Sequence, residues 1–194
     1  TLACLIGCTL LLFAGWELII IGALCVLFAF LYTTGPYPLS YNGWGDVLVI
    51  IFFGFVPVGG TYYVQALTWT PDVTIASIIC GLLIDTLLVV NNYRDREADA
   101  RSGKRTVIVH FGEKFGRYFY LALGITASLL CLRFLSEGHF YAGLLPQLYL
   151  IPHFFTWKKM VRIYNGKKLN NILGETSRNM LLMGVLLSLG LLLG

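Results

Sequence analysis

Charged residues are scarce in this sequence. Asp, Glu, Lys and Arg make up 12% of its 194 residues, whereas a soluble domain usually carries about 25% because its surface must stay hydrated. Hydrophobic residues reach 57%, and the mean hydropathy is +0.76. This composition excludes a disordered chain and argues against a water-soluble globule. We expect a lipid bilayer as the main solvent and no nucleic-acid partner.

Cysteine patterns that mark a metal site or a disulfide framework are also absent. The five cysteines all lie in apolar runs without C-x-x-C spacing: Cys4, Cys8, Cys25, Cys80 and Cys131. We expect buried free thiols. No signal peptide is visible, because the sequence opens at Thr1 inside a hydrophobic run. We therefore expect the natural start of the domain to lie upstream.

Long apolar runs dominate the sequence instead. Cutting them at charges and at Gly and Pro clusters gives seven candidate membrane spans, at 2–15, 16–32, 45–69, 72–92, 115–136, 139–157 and 176–194. The sequence therefore predicts an all-α, polytopic bundle of transmembrane helices. We expect residues 1–194 to belong to a single transmembrane domain.

Basic residues are confined to two windows, which indicates the orientation of the spans. Residues 91–117 and 158–178 hold 13 of the 14 Lys and Arg, and only Arg133 lies outside. Long linkers (33–44, 93–114 and 158–175) alternate with tight turns that carry Glu17, Asp72 and Glu137 and no basic residue. By the positive-inside rule, the long linkers are predicted to be cytoplasmic.

The fourth span leads into the most polar stretch of the sequence, Asn91 to Thr106. If the helix continues, Asn91, Asp95 and Asp99 fall on one face. An amide and two carboxylates provide the oxygen ligands that suit Mg²⁺, an ion usually completed by waters and substrate phosphates. Nearby cations could bind phosphate oxygens: Arg94, Arg96, Arg101, Lys104 and Arg105. The pattern predicts a metal–diphosphate site; the alternative is a solvated helix end whose charges serve topology only.

The order N-N-x-x-D-x-x-x-D followed by G-K-R-T resembles the second aspartate-rich motif of the UbiA superfamily of intramembrane aromatic prenyltransferases. The resemblance is strongest to the branch that prenylates 1,4-dihydroxy-2-naphthoate in menaquinone synthesis, and it includes residues 32–39, 52–63 and Leu169-Asn170. It implies a bundle of nine transmembrane helices with two facing aspartate-rich motifs. This sequence holds seven of those spans and the second motif. The first motif is expected before Thr1, so we expect the chain alone to be inactive.

The resemblance also implies roles for individual residues. Asp95 and Asp99 would be catalytic residues that bind Mg²⁺, and Tyr32 would lie near the reacting carbon, although a tyrosine at a helix end could equally be an interfacial anchor. The implied diphosphate-binding residues are Asn91, Asn92, Arg94, Lys104 and Arg105. Tyr37 stands where many relatives carry Lys in a Y-S-x-x-x-K pattern, which favours the naphthoate branch over the 4-hydroxybenzoate enzymes.

The expected function is Mg²⁺-dependent transfer of a polyprenyl group from polyprenyl diphosphate to 1,4-dihydroxy-2-naphthoate, with decarboxylation to demethylmenaquinol. Such an enzyme is expected in a prokaryotic plasma membrane, with its active site opening toward the cytoplasm. Two alternatives remain. The acceptor could be 4-hydroxybenzoate or a haem precursor, or the protein could be a transporter with Asp85 in a midplane site. Asp46 lies on the side of the metal motif and is a further polar candidate.

Overall fold

The computed structural model describes residues 2–194, apart from the side chains of Ala3 and Cys4. This range contains helices and no strands, so the all-α prediction is confirmed. The α-helices are α1 (Leu2–Thr9), α2 (Leu11–Ala14), α3 (Glu17–Thr33), α4 (Gly45–Val49), α5 (Gly60–Ala66), α6 (Pro71–Arg101), α7 (Val107–Cys131), α8 (Phe140–Leu144), α9 (Leu150–Ile163) and α10 (Leu169–Leu193). A π-helical segment, Ile50–Gly59, joins α4 to α5, and short 3₁₀ helices occupy Leu39–Tyr41, Leu132–Glu137 and Leu145–Tyr149.

Four helical segments are long and apolar enough to cross a membrane: Gly45–Ala66, Pro71–Arg101, Val107–Glu137 and Leu169–Leu193. Leu5–Ala14 and Glu17–Thr33 are shorter apolar helices. A bilayer core about 30 Å thick needs about 20 apolar residues per helix. The chain is therefore a multi-pass membrane protein, and each of the seven predicted spans falls on a helical segment. The sixth is divided into α8, a 3₁₀ helix containing Pro146, and α9.

Helix α6 carries the polar motif beyond the membrane. It begins where Thr70 caps the helix, its Oγ1 accepting a hydrogen bond from Val73 N at 3.3 Å, and Pro71 occupies the first turn. At 1.5 Å per residue its 31 residues extend roughly 46 Å, well beyond a hydrocarbon core of about 30 Å. The helix continues past the predicted span end at 92 to Arg101. Asn91, Asp95 and Asp99 thus share one helical face, as predicted.

The π-helical segment and α6 pack with their backbones in contact. A Cβ added to Gly81 would lie 2.9 Å from Ile50 Cα, and one added to Gly54 would collide with the Ser77 carbonyl oxygen. Small residues permit this close approach between membrane helices. The contact continues to α4, where a Cβ on Gly45 would lie 3.4 Å from Leu88 Cδ2. This packing places the start of α4 beside the middle of α6.

Four cysteines, Cys8, Cys25, Cys80 and Cys131, are free thiols, as predicted; the Cys4 side chain lies outside the described residues. The prediction that they are buried holds for Cys131 and is wrong for Cys8, which is exposed. A membrane helix is apolar on its lipid-facing side as well as inside the bundle. An apolar sequence neighbourhood therefore does not identify the buried face.

The three long linkers meet at one end of the bundle, as the alternation of linker lengths predicts. Arg105 N donates to Tyr41 O at 2.7 Å, which joins the linker before α4 to the one after α6. Asn165 Nδ2 donates to Glu97 Oε1 at 2.8 Å, which brings the linker between α9 and α10 to the same end. The linker before α4 and the linker between α9 and α10 therefore both contact the polar end of α6.

Vesicle labelling will test which side this end faces. In a cysteine-free full-length protein, Ser102→Cys is expected to react with an impermeant maleimide from the cytoplasmic side, and Ser136→Cys from the opposite side. Both positions are exposed, and the expectation follows from the partition of basic residues. Labelling of both cysteines from the same side would contradict the predicted orientation.

Candidate active site

The end of α6 turns the chain back so that Lys104 reaches Asp99. Gly103 adopts a left-handed conformation with φ +77°, which favours glycine. Its N–H donates to Ala100 O at 3.3 Å, and the N–H of Lys104 donates to Asp99 O at 2.9 Å, the two bonds of a Schellman motif. Lys104 Nζ then lies 3.3 Å from Asp99 Oδ2. The G-K motif thus ends the helix and places a cation on its last carboxylate.

Thr106 starts the next helix. Its Oγ1 accepts a hydrogen bond from Val109 N at 3.3 Å, which caps α7. Gly112 breaks α7 after one turn, with φ +85° and ψ 171°. The predicted fifth span starts only at residue 115 because Glu113 and Lys114 interrupt the apolar run just after this break.

Arg94 binds Asp95, the carboxylate that precedes Asp99 in the motif. Its Nε and Nη2 donate to Asp95 Oδ1 and Oδ2 at 2.7 and 2.6 Å, a bidentate pair. The same guanidinium donates to Asn91 Oδ1 at 2.7 Å and to Asn170 Oδ1 at 2.9 Å. Arg94 therefore links the polar face of α6 to the first turn of α10. Only the sequence resemblance pointed to Asn170, and this contact explains its place in the site.

A cavity of about 390 Å³ opens where the end of α3, the following linker, α4 and α6 meet. Its volume lies in the range of about 300–1,000 Å³ that is typical of small-molecule sites. Side chains from all these elements and from the turn after α6 line it: Tyr32, Thr33, Ser40, Tyr41, Asp46, Leu88, Asn91, Asn92, Asp99, Ser102, Lys104 and Thr106. Along α6 the lining runs from Leu88, inside the span, to Asp99 at the polar end.

Five of the eight predicted site residues line this cavity: Tyr32, Asn91, Asn92, Asp99 and Lys104. The bidentate pair of Arg94 and Asp95 lies outside the lining, and the Asp95 side chain is 38% exposed, against 13% for Asp99. Arg105 is exposed, and its backbone N–H bonds to Tyr41 O. The two aspartates therefore stand in different surroundings, although they are one helical turn apart.

Arg96 does not join the cations at the carboxylates, which corrects the sequence-based expectation. Its guanidinium carbon lies 4.5 Å from the Tyr93 ring centroid and 5.0 Å from that of Tyr164, and its Nη1 donates to Tyr93 O at 2.6 Å. Its Nη2 also lies 3.7 Å from Glu113 Oε2, so its contacts are with the two rings and α7 rather than with Asp95 or Asp99. It attaches the linker after α9 to α6.

The oxygen donors at the cavity fit Mg²⁺. The described part of the chain contains no cluster of three or more His, Cys, Asp or Glu that could hold a metal by itself. Asn92 Oδ1 is buried and has no hydrogen-bond partner among the described residues, yet Asn92 lines the cavity beside Asp99. Mg²⁺ often takes one or two carboxylates and completes its coordination with water and substrate phosphates. Asp99 and this unpaired amide oxygen line the cavity and match that requirement, and Asp95 lies one helical turn from Asp99, outside the lining.

Comparison with known proteins identifies the family. The model of the UbiA prenyltransferase family matches residues 1–173. The chain belongs to this family. The resemblance inferred from the polar motif of α6 is therefore confirmed.

This UbiA-family chain is similar to 1,4-dihydroxy-2-naphthoate octaprenyltransferases of three bacteria. It is 35% identical to the Haemophilus influenzae protein over 177 residues, 40% to that of Escherichia coli over 124 and 40% to that of Mycobacterium tuberculosis over 129. These alignments cover 90%, 64% and 66% of the chain, but the chain spans only 57%, 39% and 44% of the relatives' own lengths. No solved structure matches the chain significantly.

Proposed function

We propose that the protein containing this chain transfers a polyprenyl group from its diphosphate to 1,4-dihydroxy-2-naphthoate, with loss of CO₂, to give demethylmenaquinol. The observation that carries the proposal is the cavity in which Asp99, Lys104, Asn92 and Tyr32 come together. The names of the three bacterial relatives support the choice of acceptor. Membership of a prenyltransferase family disfavours the transporter hypothesis.

The polar end of the cavity is suited to the diphosphate. Lys104 supplies a positive charge there. The Arg94 guanidinium group can exchange Asp95 for phosphate oxygens, which it would bind in the same bidentate way. Asp95 and Asp99 would hold Mg²⁺, with Asn92 Oδ1 beside them. When bound, this ion would neutralise charge on the departing pyrophosphate. Charge stabilisation at the leaving group promotes cleavage to the allylic cation, which the acceptor ring then attacks.

Tyr32 lies on the cavity wall toward the membrane interior, and we propose that its electron-rich ring faces the allylic cation. A second, apolar cavity of about 590 Å³ lies between α3 and the segment Gly45–Ala66, lined among others by Leu24, Phe28 and Leu48. Helix α4 thus contributes Asp46 to the polar cavity and Leu48 to this apolar one. The apolar cavity offers a water-poor site for the prenyl chain, which protects the cation from hydrolysis.

We further propose that residues 1–194 belong to a single transmembrane prenyltransferase domain. The bacterial relatives support a prokaryotic plasma membrane as its location. The distribution of basic residues supports a cavity that opens toward the cytoplasm.

Metal removal will test the chemistry of this site. Full-length protein supplied with polyprenyl diphosphate, 1,4-dihydroxy-2-naphthoate and Mg²⁺ is expected to form the prenylated product, detected by mass spectrometry. Excess EDTA should abolish product formation, and excess Mg²⁺ should restore it, because the diphosphate needs a divalent cation to leave. Undiminished turnover in EDTA would contradict the metal assignment, and absence of product with Mg²⁺ would contradict the proposed function.

A further inference from the structure

Two buried carboxyl groups meet on the membrane side of the cavity, and the diphosphate chemistry leaves them unused. Asp85 on α6 is 0% exposed and Asp46 on α4 is 8% exposed. Their carboxyl groups lie within hydrogen-bonding reach of each other. Neither Asp85 oxygen receives a hydrogen bond from an N–H or O–H group of the described residues. Over residues 2–194, the ion pairs of Lys and Arg involve neither carboxyl group.

Burial of such a pair lowers the stability of the folded protein, so its presence requires an explanation. Burying an unpaired carboxylate carries a large desolvation penalty, and ionisable residues inside membrane spans usually have a function. Two carboxyl groups in contact cannot both ionise readily, and they therefore hold one proton between them. The pair then carries one negative charge and one internal hydrogen bond. An apolar residue at position 85 would pack in this span without that cost.

The two aspartates have different access to the cavity. Asp46 lines it together with Tyr32 and Asn92, whereas Asp85 is not part of the lining. On α6, Asp85, Asn92 and Asp99 follow one another at seven-residue intervals and lie along one stripe of the helix. Asp85 is therefore about 21 Å from Asp99 along the helix axis, at 1.5 Å per residue.

The cavity has two chemically distinct ends, because Asp46 lines it beside the aspartate pair whereas Asp99 and Lys104 line it at the end of α6. The outer end carries Lys104 beside Asp99 and suits an anion. The inner end carries the aspartate pair, whose negative charge repels a diphosphate or the carboxylate of the naphthoate but suits a hydroxyl group that donates a hydrogen bond. Tyr32 also lies close to both carboxyl groups.

We propose that Asp46, supported by Asp85, binds a phenolic hydroxyl group of the aromatic acceptor. This inference rests on the proposed function and adds the residue that recognises the acceptor. Asp85 holds the proton of the pair and donates it in a hydrogen bond to one Asp46 oxygen, so the negative charge stays on Asp46. The other Asp46 oxygen accepts a hydrogen bond from the hydroxyl group. This bond orients the ring toward the diphosphate end and increases its electron density.

The two aspartates are thereby expected to respond differently to the same substitution. Asp46→Asn removes the anion from the cavity wall and should weaken acceptor binding by about tenfold or more, the value of one charge-assisted hydrogen bond. Asp85→Asn keeps an N–H donor toward Asp46 and leaves the anion in place, so acceptor binding should stay within about threefold of wild type. The KM for polyprenyl diphosphate should change by less than about twofold in both variants.

The measurement is equilibrium binding of 1,4-dihydroxy-2-naphthoate to the full-length protein in detergent, without diphosphate substrate, followed by the intrinsic fluorescence of the naphthoate. Asp46→Glu provides a second variant that retains the anion and is expected to bind the acceptor more tightly than Asp46→Asn. Thermal unfolding checks that each variant is folded.

Wild-type affinity in Asp46→Asn would overturn the inference, and so would equal losses in Asp46→Asn and Asp85→Asn, which would indicate a purely structural pair. If Asp46→Asn does not fold, a weaker affinity in Asp85→Asn than in Asp46→Glu would overturn it. If the wild-type protein prenylates the naphthoate but Asp46→Asn binds it with wild-type affinity, only this inference is contradicted and the proposed function stands. A wild-type protein that forms no product contradicts the proposed function itself.

Discussion

Asp99→Asn in the full-length protein is expected to lower the rate of prenyl transfer by about 10²–10³-fold or more, as removal of one charge-stabilising group does in other enzymes. The physical reason is the position of the carboxylate, which lines the cavity and lies 3.3 Å from Lys104 Nζ. Loss of its charge removes a metal ligand and frees Lys104 from its partner. Asp95→Asn is expected to have an effect of the same order, because it also releases the Arg94 fork.

Glu97→Gln is the matched control for these variants. Glu97 lies between the two aspartates in sequence, but it is exposed and accepts a hydrogen bond from Asn165 at 2.8 Å, away from the cavity. Loss of a surface charge there should change the rate by less than about twofold. Rates are measured at saturating Mg²⁺, with the amount of membrane-inserted protein determined for each variant. Wild-type turnover in Asp99→Asn would contradict the proposed metal–diphosphate site.

The second large effect is expected in the rates of prenylation of two different aromatic acceptors. The value of kcat/KM for 1,4-dihydroxy-2-naphthoate should exceed that for 4-hydroxybenzoate by about 100-fold or more, which corresponds to the roughly 3 kcal/mol that burial of an additional ring can provide. Lys104 is the one cation among the residues that line the cavity, and it is engaged at the diphosphate end. Tyr37, which replaces the Lys of many relatives, is 59% exposed and does not line the cavity. The carboxylate of either acceptor therefore finds no second cation, and the preference is expected from the second ring of the naphthoate, which buries more apolar surface than the single ring of 4-hydroxybenzoate.

A competition assay measures this preference directly. Both acceptors are mixed at equal concentration with polyprenyl diphosphate and Mg²⁺, and the two products are separated by chromatography. Faster prenylation of 4-hydroxybenzoate would show that the acceptor assignment is wrong, while the diphosphate chemistry could still hold.

The sequence predicts contacts within the polar motif of α6 but not contacts between spans. Asn91, Asp95 and Asp99 are related by helical geometry alone, and the G-K turn brings Lys104 back within a few residues. The meeting of Asp46 with Asp85, and of Arg94 with Asn170, depends on how separate helices pack. Membrane spans are apolar on all sides, so their hydropathy does not reveal which faces meet.

The number of charged residues near the motif also does not predict which of them form ion pairs. Five cations surround the two aspartates in sequence, yet only Arg94 and Lys104 form ion pairs with them among the described residues. Arg96 instead lies between the rings of Tyr93 and Tyr164. Tyr164 comes from a distant linker, and a single sequence gives no sign of that contact.

Release of CO₂ tests the central claim most directly. Full-length protein receives 1,4-dihydroxy-2-naphthoate labelled with ¹³C in its carboxyl group, together with polyprenyl diphosphate and Mg²⁺. The account predicts that labelled CO₂ and prenylated product accumulate in equal amounts, that neither forms when the diphosphate is omitted, and that both form about 10²–10³-fold more slowly when Asp99 is replaced by Asn. Prenylated product that retains the labelled carboxyl group, or no product at all, would contradict it.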